Sequence, residues 1–279
     1  MLGPLLTMKL TVPAYFDRGI WYPETTVRDK RADIVWSEAA RNNPINAAAA
    51  TSDNNPFAKF PDWVEACVAG REGTFLDAGC GYGRVSIPLL KSNPGLRCVG
   101  VDASPVMLEK FVELAKDHGV GDRVELYCGN LDALPFPDSH FEFVLSCAVL
   151  LHVPKNEVKT IIGELRRVLV NDGPMVLAGS FPNALNPEGL ANIRHNRLPR
   201  KNGPVRVYMR SEVRRLFNEF ASVEVEAHQM IVLPRSIGPM RLPFGNLARA
   251  ANKYCSEHFI ETFKHSNCFV NHHDVVATK

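Results

Sequence analysis

The chain has 279 residues, 46% of them hydrophobic, and a formal net charge of +2 at pH 7. This length fits one large α/β domain with additions, and the small net charge gives no argument for nucleic acid or an anionic membrane. No run approaches the roughly 18 apolar residues of a membrane span, and residues 1–8 do not resemble a signal peptide. The seven cysteines contain no C-x-x-C pair, so we expect reduced thiols, a cytoplasmic protein and no metal site.

The first 60 residues carry several aromatic side chains and the turn-rich stretches N-N-P and D-N-N-P. We therefore separate an N-terminal extension, residues 1–60, from a core domain, residues 61–279, which begins with a predicted helix at 61–69. Two roles for the extension stay open at this point. It forms a lid over a ligand site, or it packs against the edge of the core sheet.

The segment T-F-L-D-A-G-C-G-Y-G-R, residues 74–84, predicts a buried strand, a glycine-rich turn and the start of a helix. Glycine permits positive φ and close approach of a ligand, and the helix N-terminus presents free N–H groups. The dinucleotide fingerprint requires a third glycine where this chain has Arg84. The pattern is instead D-x-G-x-G-x-G, formed by Asp77, Gly79, Gly81 and Gly83.

A second strand pattern, R-C-V-G-V at 97–101, ends at Asp102, nineteen positions after Gly83. A carboxylate there can accept hydrogen bonds from both ribose hydroxyls of a nucleotide. Ser104 and Pro105 then predict the cap and first turn of a helix.

Two further strand patterns lie at 124–128 and 141–147. The former is followed by G-N-L-D-A-L-P-F at 129–136, and the latter by A-V-L-L-H-V at 148–153. Each segment alone is a weak to moderate signal. Together, the four segments agree in order, spacing and chemistry.

This combination resembles the class I S-adenosylmethionine-dependent methyltransferases, in their small-molecule branch of quinone, sterol and natural-product enzymes. The resemblance implies S-adenosyl-L-methionine as methyl donor and S-adenosyl-L-homocysteine as product. It places Asp132 and the Leu131 N–H against adenine, whose edge offers a donor beside an acceptor. The cofactor-binding residues that it implies are Asp77, Gly79, Cys80, Gly81, Gly83, Arg84, Asp102, Ala103, Asn130, Leu131, Asp132 and Cys147.

The resemblance also implies the fold, an α/β Rossmann-like sheet of seven mostly parallel strands with helices on both faces. The implied strand order is 3-2-1-4-5-7-6, with strand 7 antiparallel. Strand patterns at 175–179, 221–228 and 273–278 supply the last three strands. Inserted segments at about 182–209 and 230–271, the latter with a helix at 246–263, are expected to form a small helical cap over the substrate.

Methyl transfer from a sulfonium is expected to proceed by in-line SN2 displacement, in which orientation supplies most of the rate. A base is needed only if the acceptor arrives protonated. His152 is the first candidate, since it follows the fourth strand, although relatives often use a histidine there for packing. Weaker candidates are His140, His195 and Tyr22. At the start of the fourth strand the family usually has Asp where this chain has Glu142, a position expected to face away from the cofactor.

The missing motif narrows the class of methyl acceptor. Enzymes that methylate the amino groups of nucleic-acid bases carry (N/D)-P-P-(Y/F) after the fourth strand, and this sequence does not. A small-molecule acceptor fits better, and nucleic acid is disfavoured. Eight Lys or Arg residues and one acid lie at 194–215. They could bind an anionic group of the acceptor, guide an RNA or protein substrate, or form a solvated surface. A non-catalytic cofactor-binding scaffold and an NAD oxidoreductase also stay open as functions, and so does the oligomeric state.

Overall fold

The computed structural model describes residues 9–24, 37, 60–190, 205–233, 236–237, 240–241 and 243–279. Its contacts divide the chain into two compact units. The first unit comprises residues 1–147, 160–176 and 279, and the second comprises 148–159 and 177–278. Most of the predicted extension, His195 and the basic residues at 194–201 lie outside the described residues.

The first unit contains a sheet in which the strands follow the order β1-β2-β5-β4-β3-β6. All neighbours pair in parallel except β1 and β2. The order of β5, β4, β3 and β6 is the predicted 3-2-1-4. The strands are β1 (Ala14–Asp17), β2 (Ile20–Pro23), β3 (Gly73–Ala78), β4 (Leu96–Asp102), β5 (Val124–Cys128) and β6 (Phe143–Cys147).

The predicted count of seven strands is wrong, because β1 and β2 extend the sheet beyond β5. Arg18 and Gly19 connect them with φ values of 47° and 88°, as in a type I′ hairpin turn. Ile20 and Trp21 of β2 pair with Leu126 and Tyr127 of β5. The segment 14–23 is therefore a hairpin on the sheet edge.

The helices of this unit surround a continuous apolar core. Phe75 of β3 stacks on Phe143 of β6 at 4.7 Å, and both rings are fully buried, as expected for strands covered on both faces. Phe111 of α3 is equally buried. The helices are α1 (Phe60–Cys67), α2 (Ser86–Ser92), α3 (Pro105–Asp117) and the later part of α4 (Lys155–Val168).

The second unit contains the later part of β7, next to β11 and then β8. β11 pairs antiparallel with β8, with Asp274 opposite Glu226. This is the predicted 5-7-6 order with strand 7 antiparallel to strand 6. The elements are β7 (Pro174–Pro182), α5 (Arg210–Leu216), β8 (Ser222–Glu226), β9 (Ser236–Ile237), β10 (Met240–Arg241), α6 (Gly245–Phe263) and β11 (His272–Thr278). No helix within the described ranges combines the length and apolar character that a membrane span requires.

Candidate functional site

The glycine-rich turn begins where β3 ends at Ala78. Its three glycines have φ values of 78°, 53° and 80°, at Gly79, Gly81 and Gly83, the region that favours glycine. The N–H groups of Gly79 and Cys80 both donate to the Val101 carbonyl, at 2.7 and 3.1 Å. The turn is therefore fastened to the end of β4, as a ligand-binding loop at the carboxyl ends of parallel strands should be.

Asp102, the last residue of β4, connects this turn to the next helix. Its Oδ2 accepts from the Gly81 N–H at 2.9 Å, and its Oδ1 accepts from the Ser104 N–H at 2.8 Å. The Ser104 hydroxyl then caps α3 by accepting from the Met107 N–H at 3.3 Å. A carboxylate offers about four acceptor positions, so Asp102 can hold the turn and still accept from ribose hydroxyls.

The loop after β5 lies beside the same strand end. The Gly129 N–H donates to the Asp102 carbonyl at 3.0 Å, so the loop starts next to β4. Leu131 is buried, Asn130 is half-buried and Asp132 is exposed. Asn130 and Asp132 line a cavity of about 280 Å³. The structure thus brings these residues to the strand edge that also carries Asp102.

An ion pair that the sequence analysis missed holds this loop. Arg167 donates to the Leu134 and Phe136 carbonyls at 2.9 and 2.8 Å, and to Asp138 Oδ1 at 2.8 Å. Its Nε donates to Glu164 Oε1 at 2.9 Å. Glu164 Oε2 in turn accepts from the Leu134 N–H, and the hydrogen bond from Arg167 helps to lower the pKa of this carboxyl. The pair therefore fixes the backbone that follows Asp132.

We expect Arg167→Met to destabilise the fold by about 2 kcal/mol, because two loop carbonyls lose a charged donor. The methionine keeps the apolar stem, so the lost hydrogen bonds dominate. Hydrogen exchange should show faster exchange at the Leu134 amide. Arg97→Met is the matched control, since Arg97 donates to one exposed backbone carbonyl, that of Asp122. Equal effects of the two variants would contradict this role.

Asp77 lies beneath the turn and is only 3% exposed. The Ser86 hydroxyl donates to its Oδ2 at 2.5 Å. Burial raises the pKa of this carboxyl to about 7, against the lowering effect of the Ser86 hydrogen bond. The charge of Asp102 raises this pKa further, and that of Arg84 lowers it. The folded chain therefore keeps a proton on Asp77 at pH values where the unfolded chain has lost it.

Because the folded chain keeps this proton, the effect of Asp77→Asn on the melting temperature should depend on pH. The carboxyl's contribution to stability is full below about pH 4, the unfolded pKa, and falls as pH rises to the folded value of about 7. Asparagine imitates the neutral acid and can still accept from Ser86. The gain in melting temperature of the ligand-free variant should thus grow from pH 5 to pH 8. The exposed Asp122→Asn serves as control, and a lower melting temperature of Asp77→Asn at pH 8 would refute the assignment.

Two cysteines of the predicted set lie around the turn. Cys80 is buried, and burial raises the pKa of its thiol well above the ordinary value. Cys147, at the end of β6, is half-buried, and Arg84 Nη2 donates to its Sγ at 3.3 Å. Arg84 therefore links the glycine turn to the end of the fourth core strand. Glu142 is exposed.

The base candidates divide between the two units. In the first unit, the imidazole of His140 stacks on the ring of Phe136, and burial lowers the pKa of His140. Tyr22 of the same unit is buried, and its ring stacks on that of Tyr15. In the second unit, His152 ends the short helical turn Leu150–His152 and is half-buried. Its catalytic role stays a prediction.

The second unit also contains a histidine–carboxylate pair that the sequence analysis did not identify. His228 Nδ1 lies 2.9 Å from Asp274 Oδ2, and Asp274 is 2% exposed. The two residues are 46 positions apart, so no local motif reveals them. Burial lowers the pKa of His273 to about 4, which favours its neutral form.

Comparisons with known proteins agree on one kind of domain. Residues 75–173 match a family model described as a methyltransferase domain. A probable tocopherol O-methyltransferase, chloroplastic, of Oryza sativa subsp. japonica is 34% identical over 149 residues, 49% of this chain and 39% of that protein. Ajmaline N-methyltransferase of Rauvolfia serpentina is 28% identical over 131 residues, 47% of this chain and 43% of that protein. The chain thus matches about two fifths of the length of each relative.

A solved structure extends the likeness of the fold over most of the chain. Geranyl diphosphate C-methyltransferase from Streptomyces coelicolor A3(2), solved with S-adenosyl-L-homocysteine, gives a TM-score of 0.54 at 15% identity. The match covers 91% of this chain and 97% of that one. At this identity the likeness concerns the fold alone, and it agrees with the Rossmann-like α/β architecture described above.

Proposed function

We propose that this chain is a class I S-adenosylmethionine-dependent methyltransferase that moves a methyl group to a small-molecule acceptor, which the methyltransferase-domain match at residues 75–173 supports. One observation carries the proposal. The Asp102 carboxylate bridges the Gly81 N–H of the glycine turn and the Ser104 N–H at the start of α3. Glycine turn, acid and helix start therefore form one connected site.

The residues present fit the cofactor. At Gly81 an added Cβ would meet no atom of the described residues within 4 Å, so among them its surface is open to a ligand. Asp102 would accept from the ribose, and the exposed Asp132, with the Leu131 N–H, would face the adenine. Bound S-adenosylmethionine supplies a methyl group on a positively charged sulfur. We propose the same twelve cofactor-binding residues that the sequence predicts.

The chain's contribution to an in-line SN2 transfer is orientation and exclusion of water. A small-molecule acceptor is supported by two relatives named for tocopherol and ajmaline. One of these relatives is named an O-methyltransferase and the other an N-methyltransferase. They therefore favour neither oxygen nor nitrogen as the methylated atom for this chain. An anionic acceptor is part of the proposal, and the eight Lys or Arg residues that the sequence carries at 194–215 support it.

Transfer of a tritiated methyl group from S-adenosylmethionine tests the proposal. The purified chain would be incubated with a panel of phenols, amines and carboxylates, each analysed for labelled product. Label in at least one small molecule, lost in Asp102→Ala, is the expected result. Label in added tRNA or protein, with none in any small molecule, would reject a small-molecule acceptor. No label and no binding of S-adenosylhomocysteine would reject the activity.

A further inference from the structure

We propose that residues of the N-terminal segment build the cofactor site at its ribose end and at its base end, and that Ser37 positions Asp102 for the ribose. The proposal rests on the function proposed above. The described residues of this segment are 9–24 and Ser37, and all of them belong to the first unit. They precede residue 75, where the family match begins, so the family model does not include them.

Ser37 carries the argument at the ribose end. Its hydroxyl lies 2.9 Å from the hydroxyl of Ser104, and both residues are buried, with 3% and 0% exposure. The same Ser104 hydroxyl accepts from the Met107 N–H to cap α3, and the Ser104 N–H donates to Asp102 Oδ1 at 2.8 Å. A buried hydroxyl that loses a partner is costly, so this hydrogen bond holds the cap residue in one arrangement. Through the cap, Ser37 fixes the N–H group that orients the Asp102 carboxylate.

Val12 and Pro23 carry the argument at the base end. Both line the cavity of about 280 Å³ that Asp132 also lines. The Thr11 N–H donates to the Pro135 carbonyl at 2.8 Å, so the segment is bonded to the loop that carries Asp132. A carboxylate beside apolar walls suits a flat base that presents an amino group. Val12 and Pro23 therefore shape the space beside the proposed adenine position.

The hairpin attaches the segment to the elements on each side of this site. β2 pairs in parallel with β5, the strand that leads into the loop at Asp132. The hairpin turn lies against α3, where Arg18 donates to Glu109 Oε1 at 3.3 Å and a Cβ added at Gly19 would lie 3.2 Å from Val112 Cγ2. Such fixed contacts preorganise a site, and preorganisation raises affinity without a contact to the ligand.

Binding of S-adenosylhomocysteine to Ser37→Ala tests the positioning role. We expect its Kd to rise by about 5- to 30-fold, because Ser104 loses a buried partner and Asp102 loses its fixed donor. A merely structural role would lower the melting temperature and leave this Kd unchanged. Ser37→Thr keeps the hydroxyl and should restore binding. Ser92→Ala is the control, because the Ser92 hydroxyl donates to the Leu89 carbonyl of its own helix.

Val12→Trp tests the base end, because an indole at this position fills the cavity. The Kd of S-adenosylhomocysteine should rise by about 10-fold or more, since the larger side chain takes space beside the base. Phe16→Trp is the matched control. Phe16 belongs to the same segment, is exposed and is not a lining residue of the cavity, so this variant should bind like the wild type.

Hydrogen exchange of the wild type supplies a measurement independent of any variant. Coupling between two sites is reciprocal, so S-adenosylhomocysteine should slow exchange of the Thr11 amide. Unchanged exchange there overturns the inference. A Kd within about threefold of the wild type in Ser37→Ala overturns the positioning of Asp102, and the same result in Val12→Trp removes the segment from the base end. These results leave the methyltransferase function in place, whereas a wild type that binds no S-adenosylhomocysteine rejects both proposals.

Discussion

Asp102→Ala is expected to weaken S-adenosylhomocysteine binding by about 100-fold, or about 2.7 kcal/mol. The carboxylate accepts from the Gly81 and Ser104 N–H groups, and the proposed ribose hydroxyls would add two more donors. Alanine removes all four acceptor positions at once. Both the shape of the site and its contact with the ligand are lost, which makes this substitution more damaging than loss of a single ligand contact.

Calorimetric titration of wild type and variant measures this effect. Asp122→Ala is a suitable control, because Asp122 is an exposed acid of the same unit that lies in the short turn Gly121–Arg123. It should bind like the wild type. An Asp102→Ala protein that binds S-adenosylhomocysteine within about threefold of the wild type would remove Asp102 from the cofactor site.

Gly83→Ala is expected to destabilise the protein by about 2–5 kcal/mol. Gly83 has a φ of 80°, which costs an alanine roughly 1–2 kcal/mol. An added Cβ would also lie 2.2 Å from the buried ring of Phe111, so the ring or the turn must move, at a further cost of about 1–3 kcal/mol. Thermal or urea unfolding without ligand measures the loss.

Gly81→Ala distinguishes the energetic cost of backbone strain from the cost of the clash between Cβ at position 83 and Phe111. Gly81 also has a positive φ, 53°, but in the part of the chain that the structure describes its added Cβ would meet no atom within 4 Å. This variant should therefore lose only about 1–2 kcal/mol of stability. It should nevertheless bind S-adenosylhomocysteine poorly, because the methyl group projects into the space open to the ligand. Equal stability of the two variants would contradict the packing described for Phe111.

Local sequence patterns predict most of the strands and helices of the fold. The elements that they do not predict have identifiable physical causes. The strand–turn–helix units around Gly79 and Ser104 are specified by residues adjacent in the chain, so their pattern is visible. The hairpin β1–β2 was missed, because its turn is Arg18-Gly19 rather than the Asn-Gly or Asp-Gly pair that signals a type I′ turn. Its pairing with β5 is a long-range contact that no local pattern encodes.

Some polar residues of the candidate site are predictable from the sequence, and others are grouped only by the fold. Asp77 and Asp102 lie at the ends of strands and Asp132 follows one, so their positions in the sequence identify them. Arg167, in contrast, reaches the loop at Leu134 and Phe136 from a helix about thirty residues later. His228 and Asp274 meet only because β8 and β11 pair antiparallel. Residues that depend on such pairing look like ordinary polar surface in the sequence. The structure was needed to group them.

Titration of the wild type with S-adenosylhomocysteine and with NAD, side by side, tests the central claim most directly. We expect a Kd in the micromolar range for S-adenosylhomocysteine and no detectable heat with NAD. The open surface at Gly81 and the acid at Asp102 would fit either nucleotide in part, whereas Arg84 and the loop at Asp132 distinguish them. Binding of NAD alone would contradict the methyltransferase assignment and favour an oxidoreductase.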